Sequence, residues 1–147
     1  MRAALVDRPI DLAALLAEVA GVGNGAAVLF VGTVRDVNDG RPVTGIDYSA
    51  YTGMAAKELD AIVREAVERF GTGDVVVEHR LGTLGLGEAS VAIAVAHPRR
   101  APAYEASRYV IEELKRRVPV WKREHYVDGT REWVDPTRSA EPQEVPS

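Results

Sequence analysis

Hydrophobic residues alternate with polar ones, or run unbroken, in seven short stretches of this chain; in three longer stretches they recur every three to four positions. Residues 3–6 read as a strand. After Pro9, the run 11–21 sets Leu12, Leu15, Leu16 and Val19 on one helical face, with Asp11 placed to cap it and Gly21 to stop it. Residues 26–34 (AAVLFVGTV) are β-prone and too apolar for one face to be fully wet. A turn signal over 38–40 (NDG) precedes a second strand over 42–51, whose packing residues are Val43, Ile46, Tyr48 and Ala50.

The stretch 52–73 is the most regular helix, with Leu59, Ile62, Val63, Ala66, Val67 and Phe70 at helical spacing before Gly71 and Gly73. Residues 74–97 read as two strands joined by a glycine-rich turn. A third helix runs over about 102–117, with Ala103, Ala106, Val110 and Leu114 on its apolar face. Pro119 forbids its continuation and biases Val118 toward an extended conformation. The segments 120–127 and 130–134, around Asp128-Gly129, form a terminal hairpin. The order β-α-β-β-α-β-β-α-β-β has more hairpins than crossovers. It predicts an α+β fold with a mixed, mainly antiparallel sheet, three helices and a C-terminal hairpin. Residues 1–134 read as one domain and 135–147 as a polar, loosely held tail.

Composition then removes several classes of function. No apolar run is long enough to span a bilayer, and Asp7, Arg8, Pro9 and Asp11 interrupt the N-terminal stretch where a secretory signal would need continuity. The expected compartment is the cytoplasm, with no membrane contact. The chain has no cysteine, which excludes disulfides, thiolate metal sites and a cysteine nucleophile. His79, His97 and His125 lack metal-ligand spacing, so no metal is expected. The net charge is −4, which argues against a nucleic-acid surface. Charge is nevertheless uneven: eight Lys/Arg stand against three Glu between Arg99 and Arg123. An acidic body with one cationic segment suggests a local anion site.

Within that segment the lysines are the candidates for chemistry. Lys115 falls in the last turn of a helix, where a solvated cation paired with Glu112 is the plainer reading. Lys122 follows Trp121 in an extended stretch and shares a strand face with Glu124, opposite Trp121 and Arg123. A lysine held near other cations has its charged form disfavoured, which suits it to acid–base work. Arg35 closes an apolar strand just before a turn, or else pairs with Asp36 or Asp39. Arg99 and Arg100 precede a helix start, a site favourable to anions, or form a solvated basic loop. Glycines 82, 85 and 87 are followed by a β-prone run and no helix, so they read as a turn and not as a nucleotide loop.

Taken together, FVGTVRDVNDG (30–40), IDYSAYTGMAAKEL (46–59), HRLGTLGLGE (79–88) and AYEASRYVIEELKRRVPVWKRE (103–124) resemble the large, catalytic subunit of molybdopterin synthase. The likeness covers about residues 9–134 and implies a fold of α/β-hammerhead type. It implies a sulfurtransferase that converts cyclic pyranopterin monophosphate to molybdopterin, installing a dithiolene in molybdenum cofactor biosynthesis. Sulfur would arrive as a thiocarboxylate on the C-terminal Gly-Gly of a small ubiquitin-like carrier subunit. The assembly would be a heterotetramer around a homodimer of large subunits, and no cofactor is implied. By the same resemblance Lys115 and Lys122 are catalytic. Thr33, Val34, Arg35, Arg99, Arg100, Arg123 and Glu124 bind substrate, with Arg100 acting across the dimer.

The sequence departs from the family pattern at two positions. Arg99 stands where the family usually has histidine, with His97 two residues earlier, and Thr33 stands where many members have lysine. A guanidinium stays protonated, so Arg99 can anchor phosphate but cannot shuttle a proton. A non-catalytic module that binds anions or partners on the same scaffold is the alternative.

Overall fold

The computed structural model describes residues 1–134; the predicted tail, 135–147, lies outside the described residues. In chain order the elements are β1 (Arg2–Val6), α1 (Leu12–Val19), β2 (Ala26–Thr33), β3 (Val37–Asn38), β4 (Arg41–Ala50) and α2 (Thr52–Phe70). They continue with β5 (Val75–Arg80), β6 (Gly82–Gly85), β7 (Ala89–His97), α3 (Arg100–Arg117), β8 (Val120–Tyr126) and β9 (Arg131–Val134). One sheet has the order β1-β5-β7-β2, and only its β1–β5 pair is parallel. The second runs β3-β4-β8-β9, with β6 also paired to β4, and is antiparallel throughout. The fold is thus α+β, mixed and mainly antiparallel, with three helices.

Strand β7 explains why 89–97 is apolar without alternation. Val91, Ile93 and Val95 face α2 and α3, while Ala92, Ala94 and Ala96 face α1, so neither side meets water. Leu59, Ile62, Val63, Val110 and Leu114 cover the first face; Leu15 and Val19 cover the second. Each such side chain removed from water stabilises the fold by roughly 1.5–3 kcal/mol. Asp11 caps α1 by accepting from the Ala14 N–H at 3.1 Å. That helix ends at Val19, before Gly21, and leaves Leu16 exposed instead of in the predicted apolar face. Helix α3 begins at Arg100, earlier than expected. Pro102 falls in its first turn, where a missing N–H costs nothing.

The β3–β4 turn has Asp39 at φ 51° and Gly40 at φ 77° between the paired Asn38 and Arg41, the two-residue hairpin that NDG predicts. Part of the glycine-rich stretch expected to be only a turn is strand β6. It satisfies the edge of β4 from Gly45 to Tyr48, a long-range pairing that no local periodicity announces. A Cβ on Gly45 would lie 2.9 Å from the Leu84 carbonyl oxygen, so only glycine admits this approach. The register shift between Val43 and Gly45 also moves the packing set from odd Val43 to even Ile46 and Tyr48.

Candidate functional site

Helix α3 stops where Pro119 removes a donor, and Val118, extended at φ −85° and ψ 120°, turns the chain into β8. Strand β8 runs back along β4 with Lys122 opposite Tyr48. This reversal brings Lys122 close enough to Lys115 to act on its charge. The Lys115 amine sits below the ordinary lysine pKa, first because surrounding protein strips its hydration and second because Lys122 repels its proton. The residue as a whole is still exposed. The crowding around its amine governs its charge. The anticipated pair with Glu112 is absent among the described ion pairs. Glu113 instead meets Arg116 and Arg117.

Lys122 has Glu124 Oε2 at 3.6 Å, on the strand face the alternation predicted. Glu124 is 3% exposed, and its Oε1 accepts from Asn38 Nδ2 and from the Tyr126 hydroxyl, each at 2.7 Å. It is therefore enclosed by the fold, with Lys122 beside it. The Asn38 bond also latches the β2–β3 loop, which carries Arg35, onto the strand of Lys122. Arg35 and Thr33 are exposed, and Arg35 makes no ion pair among the described residues, so the pairing with Asp36 or Asp39 is not formed. Val34 is placed differently from its neighbours Thr33 and Arg35. Its side chain is 3% exposed among Val43, Ile46, Leu84 and Tyr126, and its backbone bonds to Glu88 and Gly87, so it anchors the strand end.

Arg123 is also committed elsewhere. Its Nε and Nη2 donate to Asp47 Oδ2 at 3.0 and 2.7 Å, and its guanidinium lies over Trp133. His125 Nε2 lies 2.8 Å from that oxygen but is poorly aligned to donate. Burial opposes the Asp47 charge, yet His125, Thr83 and Arg123 outweigh it and hold its pKa at about 2. Arg116 and Arg117 likewise spend their charge on glutamates of α2 and α3. The cationic segment thus narrows, with respect to anions, to Lys115, Lys122, the exposed Arg108 on α3 and the α3 N-terminus.

Arg99 is the N-cap of α3 and Arg100 its first residue, both exposed. Fifteen residues of helix separate Arg100 from Lys115, a rise of roughly 22 Å, so these arginines and the lysines cannot hold one small molecule within one chain. His97 cannot replace a missing proton shuttle. It is buried, its Nδ1 accepts the Arg99 N–H at 3.0 Å, and its Nε2 donates to the Phe70 carbonyl at 3.1 Å. Sequence reasoning missed His79. It is 3% exposed, edge-on to Tyr48 at 5.3 Å and within electrostatic reach of Lys115. Its only sequence signal was the His-Arg of the 79–88 motif.

Two clefts lie away from the lysines, one against Leu5, Thr52 and Leu81 and one against Arg2, Arg8 and Glu78. The second is filled with matched charge, because Glu78 accepts from both arginines. Neither offers chemistry comparable to a crowded amine beside a second lysine. Among the described residues no cluster of three or more His, Asp or Glu could hold a metal, and no helix is long and apolar enough to cross a membrane.

The molybdopterin synthase catalytic subunit of Emericella nidulans is 46% identical over 118 residues, covering 80% of this chain and 60% of that protein. The subunit of the same description from Halalkalibacterium halodurans is 41% identical over 133 residues, covering 90% and 85% of the two chains. The crystal structure of molybdopterin synthase from Staphylococcus aureus superposes with a TM-score of 0.83 at 35% identity, covering 88% of this chain and 94% of that one. A family model described as MoaE protein matches residues 5–117. With both its sequence and its fold shared along most of its length, this chain belongs to the MoaE family.

Proposed function

We infer that the chain is the catalytic subunit of a molybdopterin synthase, acting in the cytoplasm on cyclic pyranopterin monophosphate with sulfur supplied by a small thiocarboxylated carrier. The observation that carries this reading is the approach of Lys122 to Lys115, with Lys122 beside the Glu124 that bonds Asn38 at the end of the Arg35 loop. A chain without cysteine has no thiol of its own to give, so the sulfur comes from outside it and a carrier is a chemically reasonable source. Attack by the thiocarboxylate sulfur, loss of an oxygen leaving group and hydrolysis of the resulting thioester each move a proton and develop negative charge.

The two lysines divide these tasks. Lys115, its charge disfavoured, accepts and returns protons; Lys122, braced by Glu124, stabilises the developing anion. Arg35 is free to hold the substrate phosphate. Arg99 and Arg100, at the far end of α3, serve the site of a second copy, which fits a homodimer at the centre of a heterotetramer. Thr33 lines the same strand end as Arg35. The reading is tested by reconstitution with cyclic pyranopterin monophosphate and thiocarboxylated carrier, following dithiolene formation. Lys122→Ala is expected to lower turnover at least about a hundredfold with an unchanged circular dichroism spectrum. Full turnover in that variant would remove Lys122 from the mechanism.

A further inference from the structure

Among the described residues, strand β2 ends its sheet, with β7 on one side and no strand on the other. Its eight residues, AAVLFVGT, include neither a charge nor a proline. The other strands that end a sheet are short or charged. β3 and β6 have two and four residues, β1 carries Arg2, and β9 carries Arg131 and Glu132. A long, uncharged edge leaves a row of free N–H and C=O groups ready to pair with another strand. Among the described residues β2 makes no backbone bond outside its ladder with β7. Apolar as it is, none of its residues is buried, and Ala27, Phe30 and Thr33 are exposed.

The parts of the anion site stand at opposite ends of this strand. At its start Ala26 pairs with His97, and a Cβ on Gly25 would lie 2.7 Å from the Pro98 carbonyl oxygen. Arg99 and Arg100 are thereby held at that end. At its finish Arg35 comes two residues after Thr33. Lys122 belongs to the same end through a run of neighbours. It pairs with Tyr48, the Tyr48 ring lies 5.3 Å from His79, and His79 and Gly32 both pair with Val91. From Ala26 to Thr33 the strand spans roughly 23 Å, too far for one small molecule to reach both ends.

We propose that two copies of this chain join through β2, edge to edge and antiparallel, about a twofold axis at Phe30. This deepens the reading that Arg99 and Arg100 serve a second copy, and rests on it. In this register Phe30 opposes the partner's Phe30 and Ala27 opposes the partner's Thr33, so the exposed positions of one strand meet those of the other. Position 35 comes abreast of the partner's Gly25, about one strand spacing, roughly 5 Å, away. The partner's Arg99 and Arg100 then join Arg35 and Lys122, and the twofold axis builds two such sites, each from both copies. A foreign strand would also satisfy the free edge, but it would deliver no arginines to Arg35.

The chain has no cysteine, so Phe30→Cys introduces a single thiol, placed opposite its own copy in the paired strands. Under mild oxidation of the full chain it is expected to form a covalent dimer at least about tenfold faster than Met54→Cys, an exposed position on α2. Phe30→Lys opposes two ammonium groups across the axis. It is expected to sediment as a monomer where the unmodified chain is a dimer, with an unchanged circular dichroism spectrum and turnover lowered at least about tenfold. Amide exchange on the unmodified chain requires no variant to fold: the outward amides of β2 are expected to be protected without any carrier present. Protection that appears only when carrier is added gives the edge to the carrier and overturns the proposal. A Phe30→Lys protein that stays dimeric, with no Phe30→Cys cross-link, overturns this interface but leaves a second copy serving the site by another face. An unmodified chain that sediments as a monomer and still turns over fully removes the second copy, and both readings fail.

Discussion

Arg117 ends the helix that carries Lys115, and its removal isolates what holds that end in place. Its Nε donates to Glu58 at 2.7 Å, its Nη1 to Glu65 at 2.7 Å and Glu113 at 3.2 Å, and its Nη2 to Glu65 at 2.9 Å. Arg117→Met keeps the stem but leaves three carboxylates facing one another. Breaking a fully buried pair costs about 3–5 kcal/mol and an exposed one about 0–1. Arg117 is 22% exposed against Glu65 at 41%, so solvent screens part of the attraction and the expected loss is about 2–3 kcal/mol at neutral pH. Arg117 and Tyr109 hold the Glu65 carboxyl at a pKa of about 2, below its ordinary value. The stability this gives is fully present above the unfolded value and drains away as pH falls toward 2. The cost of Arg117→Met must therefore shrink to about 1 kcal/mol or less near pH 3. Urea unfolding of both proteins at the two pH values, at one protein concentration, measures it. An equal cost at both, or a neutral-pH cost under about 0.5 kcal/mol, refutes the reasoning.

Asp47 gives a second acid-linked prediction. With its pKa held at about 2 and its side chain 14% exposed, Asp47→Asn is expected to lose about 1–2 kcal/mol at neutral pH and progressively less as pH falls below 4, by the same unfolding series. Gly45→Ala drives a methyl into the Leu84 carbonyl and is expected to cost about 2 kcal/mol or more; a melting temperature within a degree of the parent would contradict that packing. If Arg100 serves the second copy, Arg100→Ala and Lys122→Ala proteins, each poorly active, regain activity when unfolded and refolded together, since mixed dimers hold one intact site. No recovery beyond the sum of the separate activities argues that Arg100 acts within its own chain or not at all.

The sequence made local periodicity and turn chemistry legible: α2 from its apolar spacing, β7 from its unbroken run, the β3–β4 hairpin from Asn-Asp-Gly, the end of α3 from Pro119. Pairings between distant segments were not legible. Strand β6 exists because β4 offers it an edge, and glycines 82 and 85 carry no side-chain pattern to announce it. The site divides in the same way. Lys115 and Lys122 stood out by chemistry, but whether a charged neighbour is free or spent depends on partners far along the chain. Arg123 is spent on Asp47, Glu124 on Asn38 and Tyr126, and Val34 on the core, all through contacts between elements. His79 escaped notice because a histidine in an apolar strand reads as packing until its ring partners are known.

Helix α3 acts as a ruler. Arg100 and Lys115 are fixed to one rigid rod, and each inserted residue would advance one end by about 1.5 Å and turn it by about 100°. A single insertion would swing Lys115 away from Lys122 or swing the N-terminal arginines off their face, and no side-chain adjustment could compensate for both. Seven added residues would nearly restore the facing but separate the ends by about 10 Å more. The length of this helix is therefore constrained as tightly as the identity of its lysine. Variation in length is better tolerated in a segment such as the β8–β9 turn, which does not lie between Arg100 and Lys115.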